Sequence, residues 1–182
     1  MEPKNYIGKV VGKIKDPCKY DADMAKAINK MSKNETENEK LLILAEKIAR
    51  KAHKGQFRDD GKTPYITHPK AVVEEFVYKD NIVHITYKWE EKVIAWLHDV
   101  VEDTDITFGD LLNKGIPLDL VIVIELLTRK EDETFLENIL RIKKSDIAIT
   151  VKLADMAHNT STSTKRHQKE KYDLAKYILE KT

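Results

Sequence analysis

The chain has a single cysteine, Cys18. No disulfide can close within it and no cysteine-based zinc site can form, so a reducing compartment is the plain expectation. No stretch approaches the ~20 apolar residues of a membrane-spanning helix. The longest apolar run, Ile116 to Leu127, is interrupted by Pro117, Asp119 and Glu125. The opening MEPKNYIGKVVGK lacks the apolar core of a secretion signal, which makes the cytoplasm the default location. An excess of one charge sign is also missing. The 32 basic residues nearly cancel the 31 acidic ones, which argues against wholesale binding to a nucleic-acid backbone. There is no internal repeat and no low-complexity tract.

The 182 residues, 41% hydrophobic and 35% charged, suit one strongly charged, mostly helical domain with a full core. Residues 1–35 read as an N-terminal extension, in which Gly8 and Gly12 interrupt an apolar run and residues 21–33 could form a short helix. Residues 36–182 form the principal domain. Thr36 and Glu39 have capping-box spacing ahead of a helical stripe of Leu41, Ala45, Ile48 and Ala52, joined by Leu42 and Ala49, with a stop at Gly55. Asp59-Asp60-Gly61 is a turn, and the prolines after Thr63 and His68 keep the segment extended until a helix starts at Pro69. That helix would bury Val72, Val73, Phe76 and Val77, and a loop would follow from about Asp80 to Lys88. Further helices are expected from Trp89 to about Thr104, from Phe108 to Lys114, and through Leu127, the last heavily buried. Another carries Leu136, Ile139, Leu140 and Ile142. The β-branched residues of SDIAITVKLADMAHN could make a strand, but the spacing of Ile147, Val151 and Ala154 favours a helix that Ser145 could cap. A final charged helix holds Leu174, Tyr177 and Ile178 inside. The expected fold class is an all-α bundle needing no sheet.

The most informative stretch is WLHDVVED. If it is helical, Glu102 lies one turn after His98 and Asp103 one turn after Asp99. Four polar groups then share one side of an otherwise apolar element; two can hold a metal and two can move protons. His68, His98, Asp99 and Asp155 are the candidate ligands, a mixed imidazole and carboxylate set that suits manganese, iron, cobalt or zinc. Asp155 stands between Leu153-Ala154 and Met156-Ala157, where a carboxylate is costly unless paired or metal-bound. Alone, each has a plainer reading. A His-Pro is usually a helix start, a His-Asp doublet is common on helix surfaces, and Asp155 could simply pair with Lys152. His53 either lines the site or caps a helix C-terminus, His84 sits in a loop, His167 in a charged tail, and His158 is read as packing or support.

In this order, AHKGQFRDDGKTPYITHP, WLHDVVEDTDIT and VKLADMAHN resemble the HD-domain metal phosphohydrolases, and more closely the hydrolase domain of RelA/SpoT-type alarmone enzymes and the small alarmone hydrolases. The resemblance runs from about Leu41 to Asn159. It implies an HD-type helical bundle in which His68, His98, Asp99 and Asp155 hold one divalent ion, usually manganese. It also implies that Glu102 and Asp103 handle the attacking water and the leaving group, that Arg58 meets phosphate, that Tyr65 shapes the pocket and that Asn159 contacts the nucleotide. The implied activity is removal of the 3′-pyrophosphate of (p)ppGpp-type alarmones, with a small-molecule nucleotide substrate and neither nucleic acid nor membrane as partner. The length leaves no room for a synthetase domain, so hydrolysis without synthesis is expected. Two departures stand out: Asp59 replaces one member of a usual basic pair, and TSTST follows Asn159 where a basic, leucine-containing continuation is usual. They keep other substrates open, namely an adenosine alarmone, NADPH at its 2′-phosphate or a phosphomonoester. A nucleotide sensor without turnover is the remaining alternative.

Overall fold

The structure, a computed structural model, describes residues 22–78, 89–162 and 165–181, with side chains from Thr36 onward except 76–78. The expectations for residues 1–21, for the loop at 80–88, and for burial of Phe76 and Val77 lie outside the described residues. Contacts divide the chain into two units, Met1–Asn38 and Glu39–Thr182. Every regular element among the described residues is helical, and the one extended pairing is an isolated bridge between Phe57 and Pro64. The all-α expectation is met.

The first helix, α1 (Ala22–Ala52), is continuous through Thr36. Thr36 therefore does not start a helix. No glycine or proline occurs between Ala22 and Ala52, and one threonine costs too little helix propensity to stop an established ladder. Ala45, Ile48 and Ala49 face the core, and the chain turns out at Gly55 in the left-handed region (φ 84°). α2 (Thr67–Tyr78) begins two residues before Pro69, so His68 lies inside its first turn rather than in extended backbone. The entry is set by turn bonds from the Thr67 and His68 amides to the carbonyls of Pro64 and Tyr65 (3.1 and 2.8 Å).

The helix expected from Trp89 is broken at its most polar point. α3 (Trp89–Leu97) stops before His98-Asp99, and a single turn, α4 (Val100–Asp103), follows. His98 Nδ1 donates to the Ala95 carbonyl (2.8 Å), the acceptor that the Asp99 amide would use in an unbroken helix. After α5 (Phe108–Asn113) come α6 (Leu118–Leu127), α7 (Phe135–Ile142), α8 (Asp146–Thr162) and α9 (Arg166–Glu180). Ser145 Oγ accepts from the Ala148 amide (3.3 Å) and caps α8.

α8 is the central helix, packing against α2, α3, α6, α7 and α9. Ile94, Leu97, Val100, Ile124 and Ile139 of the surrounding segments, with Val151 of α8 itself, are fully buried, each worth ~1.5–3 kcal/mol of transfer free energy. Three expected core faces are only half right. Leu118 and Ile122 on α6, Leu136 and Leu140 on α7, and Leu174 and Tyr177 on α9 are at least half exposed. α9 instead buries Ala175 and Leu179, because a small residue allows the close approach to its neighbours that larger ones would prevent.

Arg141 ties the end of α6 to α7. Its guanidinium grips both Glu133 carboxylate oxygens (2.7 and 2.6 Å) and donates to the carbonyls of Glu125 and Thr128 (2.6 and 2.8 Å). The Arg141 hydrogen bonds hold the Glu133 carboxyl down at about 2. A depressed carboxyl stabilises the fold fully above its ordinary value of 4.5, and that contribution disappears as pH falls through about 2. Glu133→Gln should therefore lower stability at neutral pH and flatten the acid side of the profile between those two values. Urea unfolding midpoints against pH measure this, and an unchanged acid slope would remove Glu133 as its source.

Candidate metal and catalytic site

The site is assembled from three segments. The loop after α1 is folded on itself by the Phe57–Pro64 bridge, by an Arg58 amide bond to the Thr63 carbonyl (2.8 Å), and by Asp60, whose Oδ1 accepts from the Lys62 and Thr63 amides (both 2.8 Å). It presents Arg58 and Tyr65 and hands His68 to α2. The α3–α4 junction supplies His98, Asp99, Glu102 and Asp103. α8 supplies Asp155 and, one turn later, Asn159. All nine residues singled out in the sequence line one cavity of ≈ 170 Å³.

At its floor, donor atoms of His68, His98 and Asp155 lie within 4.8 Å of one another. His68 Nε2 is 3.1 Å from Asp155 Oδ1 and 3.3 Å from Asp99 Oδ2. His98 Nε2 is 3.2 Å from Asp99 Oδ2 and 3.8 Å from Asp155 Oδ1. His98 Nε2 is nevertheless buried without a hydrogen-bond partner. Atoms this close but misaligned for hydrogen bonding point at a common centre, as ligands of one ion do. The tautomers agree with that. His98 spends Nδ1–H on the Ala95 carbonyl, and His68 Nδ1 faces His158 Nδ1 at 2.8 Å, which leaves both Nε2 atoms turned inward. Burial, with the His68 and Arg58 charges nearby, holds His158 below the ordinary histidine range, which suits it as a neutral acceptor.

The electrostatics favour a cation. Burial alone would push the Asp99 and Asp155 carboxyls up, yet both lie well below the usual carboxylate range, Asp99 through the two histidines and Asp155 through Lys152 and the same pair. Burial would likewise lower His98, but Asp99 and Asp155 hold it well above the ordinary range. This donor set fits a borderline divalent ion, so His68, His98, Asp99 and Asp155 are the residues that could hold one.

One contact is the Lys152–Asp155 pairing weighed from the sequence; the others were not anticipated. Lys152 Nζ sits 2.7 Å from Asp155 Oδ2, while Asn159 Nδ2 donates to Asp155 Oδ1 (2.6 Å) and its Oδ1 accepts from Arg58 Nη2 (2.8 Å). The Tyr65 hydroxyl lies 2.7 Å from Asp99 Oδ2 and 2.6 Å from Asp103 Oδ2. Glu102 Oε2 accepts from the Arg129 amide (2.9 Å), in the loop fixed by the Arg141 clamp. Lys152 had a legible signal, since residues three apart on a helix are neighbours. A backbone amide such as that of Arg129 leaves no trace in a sequence. A second cavity, ≈ 340 Å³, shares Arg58 and Asn159 with the first. At its rim Asp59 is almost wholly exposed, with Lys165 Nζ 3.5 Å away.

A helical bundle with paired histidines and carboxylates gathered at its middle is the arrangement of the HD-domain class. The chain is similar to SpoT/RelA-type proteins, which is consistent with an HD-type hydrolase domain. It is 34% identical over 143 residues to a guanosine-3′,5′-bis(diphosphate) 3′-pyrophosphohydrolase of Haemophilus influenzae, covering 73% of this chain and 20% of that protein. It is 32% identical over 152 residues to the bifunctional (p)ppGpp synthase/hydrolase SpoT of Escherichia coli, covering 78% and 20%. The chain thus spans about 20% of the length of the curated relatives it matches. A solved structure described as a metazoan ortholog of SpoT that hydrolyzes ppGpp superposes with a TM-score of 0.61 at 26% identity, over 76% of this chain and 83% of that one. No family model matches the chain.

Lys152→Met would leave the buried Asp155 carboxylate without its cation. Thermal and chemical unfolding of metal-free protein should show a loss of roughly 3–5 kcal/mol, the usual cost of breaking a buried pair from one side. A loss under about 1 kcal/mol would mean that the histidines and Asn159 alone neutralise Asp155.

Proposed function

We propose that this chain hydrolyses phosphorylated nucleotides at a divalent-metal centre, and that its substrate is a (p)ppGpp-type alarmone from which it removes the 3′-pyrophosphate. The observation that carries this is the convergence of His68, His98, Asp99 and Asp155 on one point, with Glu102 and Asp103 at the edge of the same cavity. The activities named for its relatives support the substrate. The ion, manganese in this reading, supplies Lewis acidity that makes water acidic near neutral pH and offsets phosphoryl charge. The lone cysteine is consistent with a cytoplasmic enzyme.

The chain's own groups do the rest. The Arg58 guanidinium, 2.8 Å from Asn159, meets the anionic substrate at the cavity mouth, and Asn159 couples that cation to the floor of the site. Water oxygen bonds to the phosphorus next to the ribose and the bond from that phosphorus to O3′ breaks. One proton leaves the water and one reaches O3′, giving GDP and pyrophosphate. Asp103 Oδ2 and Glu102 Oε2 are the groups placed to accept and return those protons, the first oriented by the Tyr65 hydroxyl and the second by the Arg129 amide. Such proton transfer typically contributes ~100- to 10,000-fold.

Purified protein with manganese should release pyrophosphate from ppGpp. Phosphate alone from NADPH or a phosphomonoester, with no pyrophosphate from alarmones, would move the substrate to the class that Asp59 leaves open. Tight binding without any product would make the protein a sensor. In an active enzyme, Glu102→Gln and Asp103→Asn should each cut kcat by ~100-fold or more while leaving manganese affinity near that of the unaltered protein. His98→Ala and Asp155→Asn should lose the metal itself. Manganese titration followed by electron paramagnetic resonance separates the two groups, and wild-type turnover in any of the four would contradict its assigned role.

A further inference from the structure

Among the polar side chains of the loop motif AHKGQFRDDGKTPYITHP that the proposed chemistry does not use are His53 and Gln56. Both are built into the edge of the site. Gln56 Nε2 donates to the main-chain carbonyl of Asp103 (2.8 Å), across 47 positions of sequence. That contact orients the amide, so Gln56 Oε1 is the atom 2.7 Å from His53 Nδ1, and only a protonated Nδ1 can make that bond. His53 is buried, its Nε2 has no hydrogen-bond partner, and its ring stacks on Tyr65 with centroids 4.7 Å apart at 28°. The Gln56 carbonyl in turn accepts from the Tyr65 amide (2.9 Å).

From these contacts we propose that His53 and Gln56 are positioning residues: together they form a brace that holds Asp103 where it transfers a proton. The proposal rests on the hydrolytic reading given above. Asp103 closes α4, a helix of four residues that cannot hold its own orientation. The brace grips it at both ends. Gln56 fixes its carbonyl, and the Tyr65 hydroxyl fixes its carboxylate, with the Tyr65 ring backed by His53 and its backbone tied to Gln56. His53 and Gln56 make no contact with the floor where the histidines and Asp155 converge; of the brace, only the Tyr65 hydroxyl also touches a floor group, Asp99 Oδ2. Removing His53 or Gln56 therefore acts on turnover and not on metal or nucleotide affinity.

Gln56→Leu removes both amide contacts. Gln56→Glu keeps the shape but loses the donor to Asp103, and His53→Phe keeps the stack but loses Nδ1–H. Each should lower kcat ~10- to 100-fold, as small misplacements of a reacting group do, with KM and manganese affinity within about 2-fold of the unaltered enzyme. Combining Gln56→Leu with Tyr65→Phe should cost no more than the worse single change, because both act through Asp103. Multiplicative losses, unchanged kcat, or a raised KM at normal kcat would overturn the brace. Should Gln56→Leu fail to fold, the isosteric Gln56→Glu carries the same test.

A second readout does not depend on turnover. Nitrogen-15 spectra of metal-free protein should show His53 in the Nδ1–H form, and Gln56→Leu should release it. An Nε2–H tautomer in the unaltered protein would refute the hydrogen-bond chain. If the unaltered protein turns over no nucleotide at all, the hydrolytic reading fails, and the tautomer still decides whether Gln56 holds His53.

Discussion

The structure depends on one carboxylate. Asp155 sits in the middle of α8, the helix against which most of the bundle packs, and it is almost completely buried. A charge in that position is costly to desolvate and must be compensated on every open side. Oδ2 takes Lys152 from its own helix. Oδ1 takes Asn159 one turn later and faces His68 and His98 from two other segments. The polar cluster is thereby localised, since α2 and the α3–α4 junction must bring their histidines to that oxygen. Lys152 and Asn159 donate to Asp155, and the histidine Nε2 atoms and the Asp99 carboxylate complete its surroundings.

The broken helix is the second consequence. An unbroken α3 would place His98 and Asp99 on successive positions of a single surface, about a quarter of a turn apart. Because His98 Nδ1 takes the Ala95 carbonyl, the chain loosens for two residues and restarts as α4. The one-turn relation between Asp99 and Asp103 survives, carried by the Asp103 amide bond to the Asp99 carbonyl (2.9 Å). Their carboxylates therefore still lie side by side, close enough for one tyrosine hydroxyl to reach both. A side chain that competes with its own backbone here aims its other nitrogen at Asp155.

Much of this was legible. His68, His98-Asp99 and Asp155 are recognisable because each departs from its surroundings, a histidine before proline and acids inside apolar runs, whereas Asn159 comes only with the family resemblance. The stop at Gly55 and the start capped by Ser145 follow from local backbone chemistry. What escaped depends on contacts far apart in sequence. Thr36 carries a sound capping signal that an intact helix on both sides overrides. α9 offers two plausible apolar faces, and only the space beside α7 and α8 selects Ala175 and Leu179 over Leu174 and Tyr177. Gln56 and Glu102 reach main-chain atoms 47 and 27 positions away, and His53 is tied to the site through Gln56 and the Tyr65 ring.

Asn159 shows how the floor of the site and its mouth are coupled. Its two amide atoms are not interchangeable here: the nitrogen must serve Asp155 and the oxygen must serve Arg58, since neither partner could accept the reverse. An aspartate in its place would bring a second negative charge against a carboxylate already hard to bury, and a leucine would leave both neighbours without a partner. The amide alone can join an acceptor below to a donor above. Arg58 also lies over the Tyr65 ring at 5.6 Å, so the cation that faces the second cavity is held both through Asn159 to Asp155 and through Tyr65 to Asp103. On the proposed reading, drawing Arg58 toward an incoming phosphate would tug on both carboxylates. This is a physical route by which the shape of the substrate end and the order of the reacting end become one property.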